Sequence, residues 1–198
     1  MTEKATEIIF LIDRSGSMNA CEEDTIGGYN TFLNWQRSEN RHAYITTALF
    51  DNHYEILCEH KDINEAGSLS SKEYFARGST ALLDAIGLTI SRAAKRQAES
   101  TADTKTLMII ITDGLDNMSR VYSIKTIWDM IHERESHGWE FIFLGTDMDS
   151  VRTAQSLGIS SERAGNFTRE GICDKFRGIS QTVSHFRNTG EINNDWTT

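Results

Sequence analysis

Three short apolar runs punctuate the chain: Ile8-Ile9-Phe10-Leu11-Ile12, Leu107-Met108-Ile109-Ile110-Ile111 and Phe141-Ile142-Phe143-Leu144. Each is β-branched or aromatic and has no polar alternation. That pattern predicts parallel strands covered on both faces. Between the first two, Tyr44 to Phe50 and His53 to Cys58 flank Asp51-Asn52, a pair suited to a two-residue hairpin loop. Helical spacing fills the gaps. Ile26, Tyr29, Phe32 and Leu33 share one face, and Leu82, Ile86, Ile90 and Ala93 another. Ile124, Ile127, Trp128 and Ile131 follow the same period. A last stripe runs through Ile172, Phe176, Ile179, Val183 and Phe186, with Thr168 as its expected N-cap. A short edge strand is expected around residues 163–167. Asp147 and Asp149 are expected at the start of the helix before it. Gln97 to Lys105 reads as a helix end and a loop.

Strands that alternate with helices predict an α/β fold, a doubly wound and mostly parallel sheet flanked by helices. The chain contains no proline, repeat or low-complexity stretch. We therefore expect one domain over 1–198, with its core in 7–157 and an edge strand and helix in 160–188. Gly27-Gly28 interrupts a helical pattern at about 1 kcal/mol per glycine. Close packing behind the loop after the first strand, or a later helix start, would account for the pair.

In such sheets ligands sit beyond the carboxyl ends of the strands, where the winding reverses. The first strand ends in Asp13-Arg14-Ser15-Gly16-Ser17. In extended chain, alternate side chains point the same way, so Asp13, Ser15 and Ser17 aim three oxygens together. Gly16 lets the backbone bend. The strand from Leu107 ends in Thr112-Asp113-Gly114, again a carboxylate followed by a glycine. Two carboxylates side by side repel unless a proton or cation sits between them. Hydroxyls and carboxylates without His or Cys make a hard oxygen site suited to Mg²⁺ or Mn²⁺ rather than zinc. A further loop, Arg77-Gly78-Ser79-Thr80, brings one more hydroxyl from Thr80. Arg14, Gly16, Ser79, Gly114 and Asp116 are candidate rim residues. Asp116 and Asn117 also fit a plain Asx turn, and Asp84 reads as structural to its helix.

Together, DxSxS after the first strand, a Thr on a GST loop and TDG after the fourth strand resemble the metal-ion-dependent adhesion site of von Willebrand factor A domains. The resemblance covers Ile8 to Gly145. Residues 24–30 and 138–145 further resemble short intracellular bacterial members. The resemblance implies sheet order 3-2-1-4-5-6 with one antiparallel edge strand. It implies a site in which Ser15, Ser17 and Thr80 reach Mg²⁺ through hydroxyls, and Asp13 and Asp113 bind it directly or through water. One position stays open for an Asp or Glu of a partner protein. It also implies that Thr80 engages in only one of two loop states. The function expected on this basis is a metal-dependent protein-binding adaptor. A hydrolase using the same ion and a metal-braced structural subunit are the alternatives.

Composition narrows the rest. The formal net charge of −9 disfavours nucleic acid. No apolar run approaches the roughly 20 residues that span a bilayer, and the N-terminus lacks a signal-peptide layout. Cys21, Cys58 and Cys173 form no CxxC pair and are odd in number, as expected of reduced thiols in the cytoplasm. We expect no enzyme. No histidine falls in the site loops, and His132 and His137, five apart, lie on different helix faces. Walker A, GxGxxG and GxSxG sequences are absent. Ser15 stands where a haloacid-dehalogenase-like phosphatase would carry a second Asp.

Overall fold

β1 (Ala5–Asp13) is the spine of a six-stranded sheet. Its neighbours are β2 (Ala43–Phe50) on one side and β4 (Thr104–Ile111) on the other, both parallel to it. β3 (Tyr54–Asp62) runs antiparallel at the β2 edge. β5 (Trp139–Gly145) and the short β6 (Ala164–Asn166) continue the parallel side. The order is β3-β2-β1-β4-β5-β6. The computed structural model describes residues 4–146, 150–168 and 171–193.

The period-two alternation of β1 splits the core in two. Ile8, Phe10 and Ile12 face α1 (Glu22–Arg37) and α5 (Ile172–Thr189). Ile9 and Leu11 face α2 (Leu82–Ala98), α3 (Ile124–Ser136) and α4 (Ser150–Ser156). With both faces covered, Ile8 to Ile12 have no exposed surface, as a run of unbroken apolar residues requires. The same holds for Leu107 to Ile111. Among the described residues no helix is long and apolar enough to cross a membrane.

Several local expectations are corrected. The hairpin turn has three residues, because Phe50 pairs with Tyr54. The Asp51 carboxylate closes it by accepting the His53 N–H at 2.6 Å. β3 extends past Cys58 to Asp62 through register shifts against Ile45–Ala48. Thr168 does not cap the last helix: α5 starts at Ile172, after Gly171, whose N–H bonds the Thr168 carbonyl. α1 begins at Glu22, ahead of the glycine pair. Gly28 meets Phe176 of α5, not the loop after β1: a Cβ there would lie 2.3 Å from the ring, while one on Gly27 would meet nothing. Asp147 and Asp149 lie outside the described residues.

Candidate functional site

β1 and β4 are adjacent and parallel, so the loops leaving their carboxyl ends emerge side by side. Asp13 is the last residue of β1 and has no exposed surface. One carboxylate oxygen takes the Ser15 N–H at 2.6 Å and the other the Thr112 hydroxyl at 2.6 Å. Gly16 opens a turn of 3₁₀ helix, Gly16–Cys21, that turns the chain into α1. The hydroxyls of Ser15 and Ser17 lie 3.1 Å apart, and Ser17 donates to Asp113 Oδ1 at 2.5 Å. The loops after β1 and β4 are thereby joined at the switch of the sheet.

Thr80 closes the third side. Its Oγ1 would sit 3.3 Å from a Cβ placed on Gly114, and Ser17 Oγ 3.7 Å from it. Both hydroxyls therefore crowd the face of Gly114 that carries no side chain. The Thr80 loop is tied at several points. The Arg77 N–H donates to Arg14 O (2.8 Å), the Gly16 N–H to Gly78 O (3.2 Å) and the Ala81 N–H to Asp51 O (3.0 Å). Gly78 has φ +68°, a backbone conformation that favours glycine.

Asp13, Ser15, Ser17, Thr80 and Asp113 thus come from three loops to one spot. Asp13, Ser15 and Thr80 are enclosed, Asp113 is half-buried and Ser17 is exposed, so the cluster opens outward at one end. Burial pushes the Asp13 carboxyl up to about 6. Hydrogen bonds from Thr112 and Ser15 pull it down, and the Asp113 charge adds to the rise. A cation between the two carboxylates would offset both the burial and the repulsion. The donors are hydroxyls and carboxylates only. Among the described residues no group of three or more His, Cys, Asp or Glu is placed to hold a metal ion. The set therefore fits a hard ion such as Mg²⁺ or Mn²⁺ and lacks the nitrogen and sulfur of a zinc site.

The rim residues divide. Gly16 and Ser79 are exposed and Gly114 is half-buried beside the donors. Arg14 is no rim residue: it is 1% exposed and turns beneath the loop. There it meets Asp51 Oδ2 at 3.0 Å and Glu55 Oε2 at 2.8 Å. The alternation that turns Ser15 toward Ser17 and the candidate donors turns Arg14 the other way, toward Asp51. Asp116 braces the loop, its Oδ1 accepting the Leu83 N–H and the Ser119 hydroxyl. Asn117 does more than form a turn: its side chain accepts the Thr80 N–H at 3.0 Å, and its own N–H returns to Thr80 O at 3.0 Å.

Three supporting residues escape a reading of the sequence. Thr112 stands inside the TDG string, and its hydroxyl is the outer partner of Asp13. Asp51 reads as a turn residue. The Tyr74 hydroxyl donates to the Asp13 carbonyl at 2.7 Å from a segment without periodicity.

No protein-family model matches the sequence, and no curated protein does. Solved structures do match. The vWF domain of the type V pili tip protein Mfa5 from Porphyromonas gingivalis superposes with a TM-score of 0.68 at 12% identity, covering 98% of this chain and 99% of that one. A von Willebrand factor type A structure from Catenulispora acidiphila gives 0.64 at 14%, covering 91% and 43%. The manganese-loaded TRAP protein of Plasmodium vivax gives 0.61 at 14%, covering 87% and 71%. The chain spans under half the length of several of the solved chains it matches. At these identities the likeness is one of fold, and the fold is that of von Willebrand factor A domains.

Proposed function

We propose that this chain is a metal-dependent protein-binding module. In this reading Asp13, Ser15, Ser17, Thr80 and Asp113 hold Mg²⁺, with Mn²⁺ as a substitute, and an Asp or Glu of a partner protein completes the coordination. The observation that carries it is the Ser17–Asp113 contact at 2.5 Å, which joins the loops of two central strands beside Ser15 and Thr80. When bound, such an ion supplies a positive centre only partly neutralised, since three of the five donors are neutral hydroxyls.

The chain's own residues prepare that centre. Thr112 and the Ser15 N–H orient Asp13. Asn117 and Met118 fix the Thr80 backbone. Ser17, exposed, marks the side open to a partner. Further support comes from two proteins of the same fold: one is manganese-loaded, and another belongs to a pilus tip. We assign no catalysis: residues 13–17, 77–81 and 112–117 carry hydroxyls and carboxylates but no His, Cys or Lys beside them. We place the protein in the bacterial cytoplasm as an adaptor, where Cys21, Cys58 and Cys173, which form no disulfide with one another, stay reduced.

The test is a pull-down in Mg²⁺, repeated with EDTA, with Asp13→Ala and with the exposed-site variant Ser17→Ala. The expected result is that all three treatments release the same protein. A partner set unchanged by any of them overturns the proposal.

A further inference from the structure

The segment from Asp113 to α3 is bonded along much of its backbone. The N–H groups of Asn117 and Met118 donate to Thr80 O at 3.0 and 3.1 Å. The Asp84 carboxylate takes the N–H groups of Arg120, Val121 and Tyr122, each at 2.9 Å. Asp116 Oδ1 accepts the Leu83 N–H and the Ser119 hydroxyl. A loop held this way does not depend on the apolar side chains of its outer face. Yet Leu115 is 60% exposed, Val121 78% and Ile124 51%, and Met118 and Trp128 also stand out of this stretch. The other exposed large hydrophobics, Trp35, Phe75 and Leu88, are scattered. A fixed backbone that presents clustered apolar side chains to water marks a contact surface rather than a folding need.

A groove of about 270 Å³ opens in this surface, lined by Leu82, Leu83, Leu115, Asp116, Ile124 and Leu157 among others. Leu115 and Thr153 also line the shallow recess formed by Thr112, Asp113 and Gly114. The groove therefore begins where the metal-site loop ends.

We infer that this groove is a specificity subsite that receives a large aliphatic or aromatic side chain close in sequence to the partner's metal-binding Asp or Glu. The inference rests on the metal-dependent reading above. A single carboxylate on an ion does not distinguish one acidic protein from another, so selection has to come from what surrounds it. The chain's charge of −9 opposes further acid in the partner segment. The groove itself is lined mainly by Leu82, Leu83, Leu115, Ile124 and Leu157, so the neighbour of the carboxylate that seats there is apolar. Seating a Leu or Phe side chain there is worth about ten- to a hundredfold in affinity.

An array of synthetic peptides tests this. Each carries one Glu, with Leu, Phe, Ala or Ser at each nearby position. Binding is read in Mg²⁺ and in EDTA, on the full chain and on a Leu115→Ser/Ile124→Ser variant whose folding and Mn²⁺ uptake are checked separately. Expected are Mg²⁺-dependent binding, a preference for Leu or Phe over Ala or Ser of about tenfold or more, and loss of that preference in the variant. Mg²⁺-dependent binding without apolar preference overturns this inference and leaves the metal-dependent reading standing. No Mg²⁺-dependent binding of any peptide overturns both. Self-association of the chain that the variant abolishes assigns the groove to a second copy and also overturns the inference.

Discussion

Arg14 and Asp51, at 1% and 0% exposure, meet at 3.0 Å beneath the loop that carries Ser15 and Ser17. Asp51 also accepts from Arg77 at 2.8 Å, so one carboxylate ties the loop after β1 to the loop that carries Thr80. Removing one partner of an enclosed ion pair leaves the other charge uncompensated, at a cost of about 3–5 kcal/mol. Arg14 keeps Glu55 Oε2 at 2.8 Å, so Asp51→Ala is expected to cost no more than the lower end of that range in urea unfolding. Replacing both residues, as Arg14→Met/Asp51→Leu, is expected to cost less than the two single changes together. The single variant should also weaken metal uptake, although neither residue is a proposed ligand.

Alongside Asp51, Glu59, Asp62 and Glu73, Asp84 contributes to the acid limb of stability. Burial alone would raise its carboxyl, but the N–H groups of Arg120, Tyr122 and Val121 more than offset that and hold it below the ordinary value. A carboxyl lowered by folding stabilises above its unfolded pKa, and that contribution is lost as pH falls through the folded one. The chain should therefore lose stability below about pH 4. Asp84→Asn should flatten that limb and cost about 2–4 kcal/mol at neutral pH, since a charged acceptor of backbone N–H groups is removed. Denaturant midpoints measured against pH read both effects.

The two glycines of α1 should respond with opposite signs. At Gly28 an added methyl meets the Phe176 ring at 2.3 Å. Gly28→Ala should cost about 1–3 kcal/mol by overpacking between α1 and α5. At Gly27 the space is open, and Gly27→Ala should raise stability by up to about 1 kcal/mol. Thermal melts of the two variants decide this.

These contrasts mark how far the sequence is legible. Of the five candidate donors, Asp13, Ser15, Ser17 and Asp113 each sit beside a strand end or a glycine, and Thr80 follows Gly78 by two residues, so local spacing already groups them. The sheet order β3-β2-β1-β4-β5-β6 is what the family resemblance implies, and the hairpin read from the apolar pattern agrees with it. Arg14 is legible in position but not in role: it stands between the candidate donors Asp13 and Ser15, while its partner Asp51 lies 37 residues away. The Tyr74 hydroxyl reaches the Asp13 carbonyl across 61 residues. Contacts of that range leave no periodic trace. Thr168 fails as a cap for a related reason: a hydroxyl ahead of an apolar stripe signals a helix start, but α5 begins only at Ile172, four residues on.

Thr112 offers a finer probe of the site. Its hydroxyl holds Asp13 without being a proposed ligand. Outer partners of metal ligands are worth about 10- to 100-fold in metal affinity. Thr112→Val keeps the shape and loses the hydrogen bond, so Mn²⁺ affinity should fall by that factor with little change in fold.

The central claim is that the oxygens of Asp13, Ser15, Ser17, Thr80 and Asp113 bind one hard cation. Titration calorimetry of Mg²⁺ and Mn²⁺ into the intact chain, and into Ser17→Ala and Asp113→Ala, tests it most directly. The account predicts a single saturable uptake in the intact chain, weakened in Ser17→Ala and lost in Asp113→Ala while both variants stay folded. No uptake of either ion by the intact chain, or equal uptake by all three proteins, would contradict it.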